Sequence, residues 1–184
     1  MTRFEFDWEK AIQAIDFIVR LRPDLTHYYI GKIMFFADKE HVLDYGRPIT
    51  GDRYVAIQHG PAPSAILDLL KVDSDYPDEM LAELDIRLTI NSIDNRRHVR
   101  SKKMGDFSRL SGTDKQYLER SLKIYGSMSF TELKKISHKD KAYVEAWNRG
   151  GAANNEMNIE LWLDELQKPE LAKMQLKESA SCAA

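Results

Sequence analysis

The sequence predicts an α+β protein: a mainly helical single domain with a small antiparallel β-sheet inserted after the third helix. Along much of the chain, apolar residues recur every three or four positions, which is typical of helices with one buried face. Between residues 84 and 103 the pattern alternates instead, as in a β-hairpin. The 184 residues, 43% of them hydrophobic, suit one folded domain. We place that domain at residues 1–168 and expect residues 169–184 to form a flexible C-terminal tail.

The first two helices are delimited by polar capping residues and a glycine. Asp7 can cap a first helix that ends near Leu21. Thr26 can cap a second helix that reaches about Asp44. Gly46 follows directly and is expected to end this helix in the left-handed backbone conformation.

The next segment, residues 47–63, is too rich in proline and glycine to continue a helix. Within it, Tyr54–Ile57 has the composition of a short strand. A rigid turn at residues 59–61 is expected to end that strand and to direct the chain onward. Pro63 or Ser64 can then open the third helix.

A β-hairpin is predicted after the third helix. Leu84–Ile90 alternates apolar and polar residues, which predicts a half-buried strand. Asp94-Asn95 is a turn sequence, and Arg97–Lys103 is the expected return strand.

Capping-box patterns predict the helices that follow the hairpin. Thr113 with Gln116 indicates the start of a helix that ends before Gly126, and Ser129 with Glu132 indicates the next start. Two further helices are predicted at residues 139–148 and 157–167.

Charge and cysteine content restrict the class of protein. The net charge is −2, from 27 basic and 29 acidic residues, which argues against general nucleic-acid binding. The basic hairpin segment 96–103 leaves that partner open, although lysine and arginine can also protect a sheet edge from unwanted pairing. A single cysteine, Cys182, cannot form an intrachain disulfide and favours a reducing compartment. No signal peptide or membrane span is predicted, so the cytoplasm is the expected location.

The sequence contains no phosphate-binding glycine loop, zinc-binding cysteine pair or nucleophile elbow. Asp38 and His41 would share one helix face and, with His59 or Asp52, could bind a metal ion; a solvated helix end is the alternative. His59 could also act as a general base, or simply belong to a rigid turn. We predict no catalytic residue, metal ion or cofactor, and we expect the protein not to be an enzyme.

Three aromatic residues have two interpretations. Tyr28, Tyr143 and Trp147 recur at helical spacing, which is typical of core residues. Large aromatic side chains also dominate the energetics of protein interfaces when they are exposed.

A longer pattern lies between Lys32 and Ile66, where the sequence reads KIMFFADKEHVLDYGRPITGDRYVAIQHGPAPSAI. Its ordered elements are Phe35-Phe36-Ala37-Asp38, Tyr45-Gly46-Arg47-Pro48, Gly51-Asp52, Tyr54-Val55-Ala56 and Gly60-Pro61. This order strongly resembles the signature of the Panacea domain, the family that includes SocA-like antitoxins. A second segment, Ser137–Trp147, is similar to a later part of the same domain and contains His138 and Trp147.

The resemblance implies that the protein works by binding another protein. It implies an antitoxin that neutralises a cognate protein toxin, encoded by an adjacent gene, through direct contact in a type II toxin–antitoxin system. Three alternatives stay open. The protein could be an adaptor that delivers a toxin to an ATP-dependent protease, a phage-associated protein that binds another host protein, or a metal-dependent enzyme.

The loop-rich part of the signature is the candidate contact surface. Gly51 and Gly60 permit sharp turns, while Pro48, Pro61 and Pro63 stiffen the loops, and a rigid surface loses little entropy on binding. The predicted partner-binding residues are Asp38, Arg47, Asp52, Arg53, Tyr54 and His59. The alternative is a scaffold role, in which Arg47 and Asp52 pair to hold the loop.

Overall fold

The computed structural model describes residues 1–71, 76–150 and 155–182. The helices are α1 Trp8–Leu21, α2 His27–Tyr45, α3 Ser64–Leu69, α4 Asp78–Arg87, α5 Gly112–Tyr125, α6 Phe130–Ser137, α7 Lys141–Gly150 and α8 Pro169–Cys182, with a 3-10 helix at Ile159–Glu165. The strands are β1 Leu25–Thr26, β2 Tyr54–Ile57, β3 Gly60–Pro63, β4 Leu88–Ile93, β5 Arg96–Ser101 and β6 Asn155–Glu156. The predicted α+β class with small antiparallel sheets is confirmed.

Local chemistry sets the bounds of α1 and α2. The carboxylate of Asp7 accepts a hydrogen bond from the backbone N–H of Lys10 at 2.9 Å, which confirms the predicted N-cap. Thr26 precedes α2 as predicted, although its side chain makes no capping hydrogen bond. Gly46 ends α2 with φ at 65°, the left-handed conformation predicted for it.

The predicted hairpin forms, but its first strand begins later than expected. Asp94 and Asn95 have positive φ angles of 48° and 60° and join β4 to β5, which confirms the turn. The prediction of a strand from Leu84 was wrong, because residues 84–87 are the last turn of α4. Leu84 and Leu88 are both buried and lie four residues apart. Residues at this spacing share one face of a helix, but they also share one face of a strand, so the pattern fits both. The hairpin therefore follows a fourth helix, not the third.

The basic return strand is not at the edge of its sheet. In the first sheet the order is β1-β5-β4, so β5 lies between two neighbours. The prediction that its lysine and arginine residues protect a sheet edge is therefore wrong. Two of them make ion pairs instead: Arg100 with Asp24 at 3.0 Å and Lys102 with Asp85 at 2.8 Å.

The second sheet contains the glycine- and proline-rich signature segment. Its order is β3-β2-β6, with all neighbours antiparallel. Gly60 and Pro61, predicted as part of a turn, instead begin β3, and the turn is formed by Gln58 and His59. Pro61 and Pro63 are tolerated because β3 is an edge strand, where some backbone nitrogens need not donate a hydrogen bond to the sheet.

The remaining helices follow the predictions with three differences. The capping box at Ser129 is confirmed, but α5 is capped by Ser111 with Asp114 and not by Thr113 with Gln116. The helix predicted at 157–167 is a 3-10 helix. Where a tail was predicted, α8 forms and buries Leu176 completely against the 3-10 helix region.

The core consists of two hydrophobic clusters on opposite sides of α2. One joins α2 to α1, α4, α5 and the first sheet through residues such as Ile15, Val99 and Leu118. The other joins α2 to β2, α7 and the 3-10 helix through Phe35 and Trp162. Helix α2 is thus the central element, and the signature residues that follow it are fixed from both sides. Within the described residues, none of the helices combines the length and apolar character needed to cross a membrane.

Candidate protein-binding surface

Asp38 connects α2 to the signature loop, by which we mean residues 46–53 between α2 and β2. Its side chain is fully buried and accepts hydrogen bonds from the backbone N–H of Ile49 at 2.7 Å and from the hydroxyl of Tyr54 at 2.6 Å. Burial raises the pKa of Asp38 to about 7 and also raises the pKa of Tyr54. This pair holds the loop between α2 and β2 in one position.

Asp52 positions the start of α3. Its buried carboxylate accepts hydrogen bonds from the backbone N–H groups of Ala65 at 2.9 Å and Ile66 at 2.8 Å. These two N–H groups have no partner within the helix, so the side chain of Asp52 supplies the cap that α3 lacks locally. Burial raises the pKa of Asp52 to about 6.

We expect Asp52→Ala to lower the free energy of unfolding by about 2 kcal/mol, because two backbone donors lose their acceptor. The measurement is urea denaturation followed by circular dichroism. Asp68→Ala is the control, since the half-buried Asp68 pairs with its neighbour Lys71 and, within the described residues, makes no other ion pair. Equal stability of the two variants would contradict the capping role of Asp52.

Three of the six predicted contact residues are therefore structural. Asp38, Asp52 and Tyr54 are buried, so their side chains cannot touch a partner in this structure, and this part of the prediction is corrected. Arg47 does not pair with Asp52 either. Its guanidinium lies 3.5 Å from the carboxylate of Asp114 at the start of α5.

The other three predicted residues, the half-buried Arg47 and the exposed Arg53 and His59, do not form one patch. Arg47 follows the C-terminal end of α2. The ring of His59 lies 5.4 Å from that of Phe130, which in turn contacts the ring of Tyr28 near the N-terminal end of α2. Helix α2 has 19 residues, so its two ends are about 27 Å apart at 1.5 Å per residue. Arg53 is exposed on the signature loop, and its backbone carbonyl accepts a hydrogen bond from Ser64.

One of these ends carries two groups of contacting rings, which together we call the aromatic strip. It comprises Tyr28, Phe130, His59, His138, Tyr143 and Trp147. The Tyr28–Phe130, His138–Tyr143 and Tyr143–Trp147 centroid distances are 4.6, 4.6 and 6.0 Å. Phe130 is 43% exposed, and His59 is also exposed. The two interpretations of the aromatic residues therefore both apply: Tyr143 is buried, whereas Tyr28 and Trp147 are half-buried.

Gly60 joins the two halves of the aromatic strip. Its φ angle is 95°, and a Cβ atom at this position would lie 2.6 Å from Oγ of Ser137 and 3.2 Å from the ring of His138. Residues of α6 therefore approach the backbone of β3 as closely as a glycine allows. Burial lowers the pKa of His138, so its imidazole is held in the neutral form more strongly than usual.

Lys32 lies beneath the aromatic strip. It is only 2% exposed, and its Nζ donates a hydrogen bond to the carbonyl of Pro61 at 2.7 Å and lies 5.3 Å from the centroid of the Tyr28 ring. Burial lowers its pKa to about 7. Arg87, another buried cation, pairs with Asp16 and Glu83, whereas Lys32 has no carboxylate partner among the described residues.

Three lysines lie on α6 or just after it, along one side of the strip. They are Lys134, Lys135 and Lys139, and the latter two are exposed. The acids nearby are engaged: Glu132 completes the capping box of α6, Asp140 is buried and pairs with Lys39 at 2.6 Å, and the exposed Glu145 of α7 pairs with Arg149 at 3.3 Å. The strip thus has an apolar centre and a basic rim on one side.

The residues proposed as metal ligands have other partners. Asp38 accepts the hydrogen bonds from Ile49 and Tyr54. The two ring nitrogens of His41 lie 2.8 Å from the carbonyl of Arg47 and 3.2 Å from the hydroxyl of Thr113. His59 packs on Phe130 at the far end of α2. Within the ranges that the structure describes, no three His, Cys, Asp or Glu side chains converge to hold a metal ion.

Sequence reasoning missed Phe130 and Lys32. Phe130 follows a serine cap and looks like an ordinary first residue of a helix, so nothing local marks it as exposed. Lys32 did carry a signal, because it interrupts the apolar run from Tyr28 to Ala37. A lysine in the middle of a helix that is buried on all sides is rare unless it is paired or functional.

The fold and this surface define an α+β domain with a prebuilt aromatic face supported by a buried lysine. A family model described as antitoxin SocA-like, Panacea domain, matches residues 30–144. The chain therefore belongs to this family, and membership supports an antitoxin-type function. The matched range contains Lys32 and the signature loop. No curated protein and no solved structure matches the chain.

Proposed function

We propose that the protein is an antitoxin that neutralises a protein toxin by direct binding, as one half of a type II toxin–antitoxin system in the cytoplasm. The family supports the antitoxin class. The observation that carries the proposal is the aromatic strip, which exposes Phe130 and His59 above the buried Lys32, whose ammonium pairs with no carboxylate of the described residues. No chemical step is required of these residues.

The geometry suits tight binding of a protein. Protein interfaces depend on a few aromatic or arginine anchors at their centre, surrounded by a polar rim that excludes water. The ring contacts within the strip and the close approach at Gly60 hold the anchors in place before binding, which reduces the entropy lost on association. The lysine rim favours a toxin surface of negative charge. Of the predicted contact residues, His59 lies in this surface, while Arg47 and Arg53 are proposed as contacts outside it.

The test is co-expression with the product of the adjacent gene. We expect that product to be toxic when expressed alone, harmless when expressed with this protein, and recovered with it in a stable complex. Absence of toxicity from each neighbouring gene product would overturn the proposal. The half-life of the toxin separates two mechanisms, since sequestration leaves it unchanged, whereas an adaptor for an ATP-dependent protease shortens it.

We expect Phe130→Ala to weaken toxin binding by about 2 kcal/mol, or roughly 30-fold in Kd, because Phe130 is a large apolar ring of the strip that is 43% exposed. Isothermal titration calorimetry with purified toxin measures the change. Leu171→Ala is the matched control, since Leu171 is 45% exposed but lies on α8. Equal affinities of the two variants would place the toxin-binding surface elsewhere.

A further inference from the structure

Strand β4 presents an edge that lacks the usual protection. In the sheet order β1-β5-β4, β4 is paired on one side only within the described residues. Its sequence, LTINSI, contains no charge and no proline, and its six residues pair with β5 without a bulge. Natural edge strands normally carry at least one such device, because open backbone N–H and C=O groups attract other strands.

The two faces of β4 differ in character. On the inner face, Leu88 and Ile90 line a groove of about 410 Å³ together with Leu81 and Leu84 of α4. On the outer face, Thr89, Asn91 and Ile93 lie opposite Arg100, His98 and Arg96 of β5. Directly opposed residues of an antiparallel pair share a face. The inner face is therefore apolar at Leu88 and Ile90 but also carries Ser92 opposite Arg97, and the outer face is basic.

Part of this basic charge has no partner. Asp24 pairs with Arg100 and lies 3.5 Å from His98. Arg96 is exposed and makes no ion pair within the described part of the chain. Strands in a sheet lie about 4.8 Å apart, so a strand added to β4 would run about 10 Å from β5. The side chain of Arg96 on β5 and an acidic side chain on the added strand are together long enough to meet across this distance.

We propose that β4 binds an extended segment of a partner protein by strand addition, and that this segment alternates apolar and acidic residues. Its backbone pairs with the open edge of β4. Its apolar side chains enter the groove beside Leu88 and Ile90, and its acidic side chains lie on the outer face near Arg96. A second copy of β4 would not provide these acids, since β4 is uncharged. This site is separate from the aromatic strip and does not depend on the function proposed for it.

The test uses the full-length protein and synthetic peptides long enough to span β4. A peptide of alternating valine and glutamate is expected to bind, whereas the corresponding valine–lysine peptide is not. Two N-methylated forms of the glutamate peptide distinguish strand addition from simple charge attraction. Methylation at the alternate positions whose N–H groups face β4 should abolish binding, and methylation at the other positions should preserve it.

Arg96→Glu is expected to weaken binding of the glutamate peptide about tenfold, or about 1.4 kcal/mol. Lys168→Glu, next to the start of α8, changes the charge by the same amount and is the control. Fluorescence anisotropy of a labelled peptide measures the affinity. Equal binding of the glutamate and lysine peptides, or equal effects of the two methylation patterns, would overturn the proposal. Tight binding of an RNA oligonucleotide that depends on Arg96, with no peptide binding, would also overturn it.

Discussion

Replacing Lys32 with methionine is expected to stabilise the protein by about 1–4 kcal/mol at pH 7 and below. The ammonium of Lys32 is buried, donates a hydrogen bond to the carbonyl of Pro61, and has no acidic partner in the described part of the chain. Removal of a charge from water is offset only when a counter-charge and further hydrogen bonds are present. Methionine has similar length and volume, and its flexible thioether can occupy the same space without a charge.

The dependence of this effect on pH is a stronger test than its size. In the folded protein the pKa of Lys32 is lowered to about 7, while the unfolded chain keeps the ordinary value of 10.5. Between these values the unfolded state binds the proton more tightly, so the wild-type protein gains stability as the pH rises from 7 towards 10. Below pH 7 the group is charged in both states and the cost of burial is complete. Lys32→Met lacks this titration, so its advantage should be largest below pH 7 and should shrink towards pH 10.

Urea denaturation of both proteins across this pH range measures the difference. Lys123→Met on the exposed surface of α5 is the control, and it should change stability by less than about 0.5 kcal/mol at each pH. A destabilised Lys32→Met protein at pH 6, or a constant difference across the range, would show that Lys32 is not buried as an unpaired charge.

The same substitution should separate stability from function. A residue that lowers stability and is nevertheless present suggests a role in activity. We expect Lys32→Met to bind the toxin more weakly than the wild-type protein, because it removes positive charge beneath Tyr28 and the rest of the aromatic strip. A variant that is both more stable and equally tight in binding would assign Lys32 no part in recognition.

Features of the fold that depend on neighbouring residues in the chain could be predicted from the sequence. The Asp7 cap, the left-handed Gly46 and the Asp94-Asn95 turn each follow from the chemistry of two to four adjacent residues. Helix α4 could not be predicted in the same way, because Leu84 and Leu88 satisfy both the helical and the alternating pattern. Its tertiary packing against α1 decided between them.

The candidate surface was predicted only in part for a related reason. The family resemblance pointed to the segment from Lys32 to Ile66 but could not show that Asp38 and Tyr54 are buried while His59 is exposed. The aromatic strip combines rings from α2, the β2–β3 turn, α6 and α7. Their proximity depends on how these elements pack, and no periodic pattern in the sequence records it.

Gly60→Ala is expected to lower the free energy of unfolding by roughly 3–5 kcal/mol, the sum of backbone strain and overpacking. The φ angle of 95° is unfavourable for any residue with a side chain. In addition, the new Cβ would lie 2.6 Å from Oγ of Ser137 and 2.8 Å from Nζ of Lys32, closer than non-bonded atoms can approach. Gly46→Ala is the matched control, because Gly46 has a positive φ of 65° but a Cβ there would meet no atom of the described residues within 4 Å, so the change should cost only about 1–2 kcal/mol.

A double-mutant cycle with Ser137→Ala separates the two contributions. Removal of Oγ relieves one of the close contacts but leaves the backbone conformation unchanged, so Gly60→Ala should cost about 1 kcal/mol less in the Ser137→Ala background. The Ser137→Ala background should leave the cost of Gly46→Ala unchanged. Gly46 lies at the C-terminal end of α2, whereas Ser137 lies beside Gly60 and Lys32, towards the N-terminal end of that helix. If Gly60→Ala and Gly46→Ala were equally destabilising, the tight junction between β3 and α6 would not exist in solution. The aromatic strip would then lack the rigid support on which its proposed affinity depends.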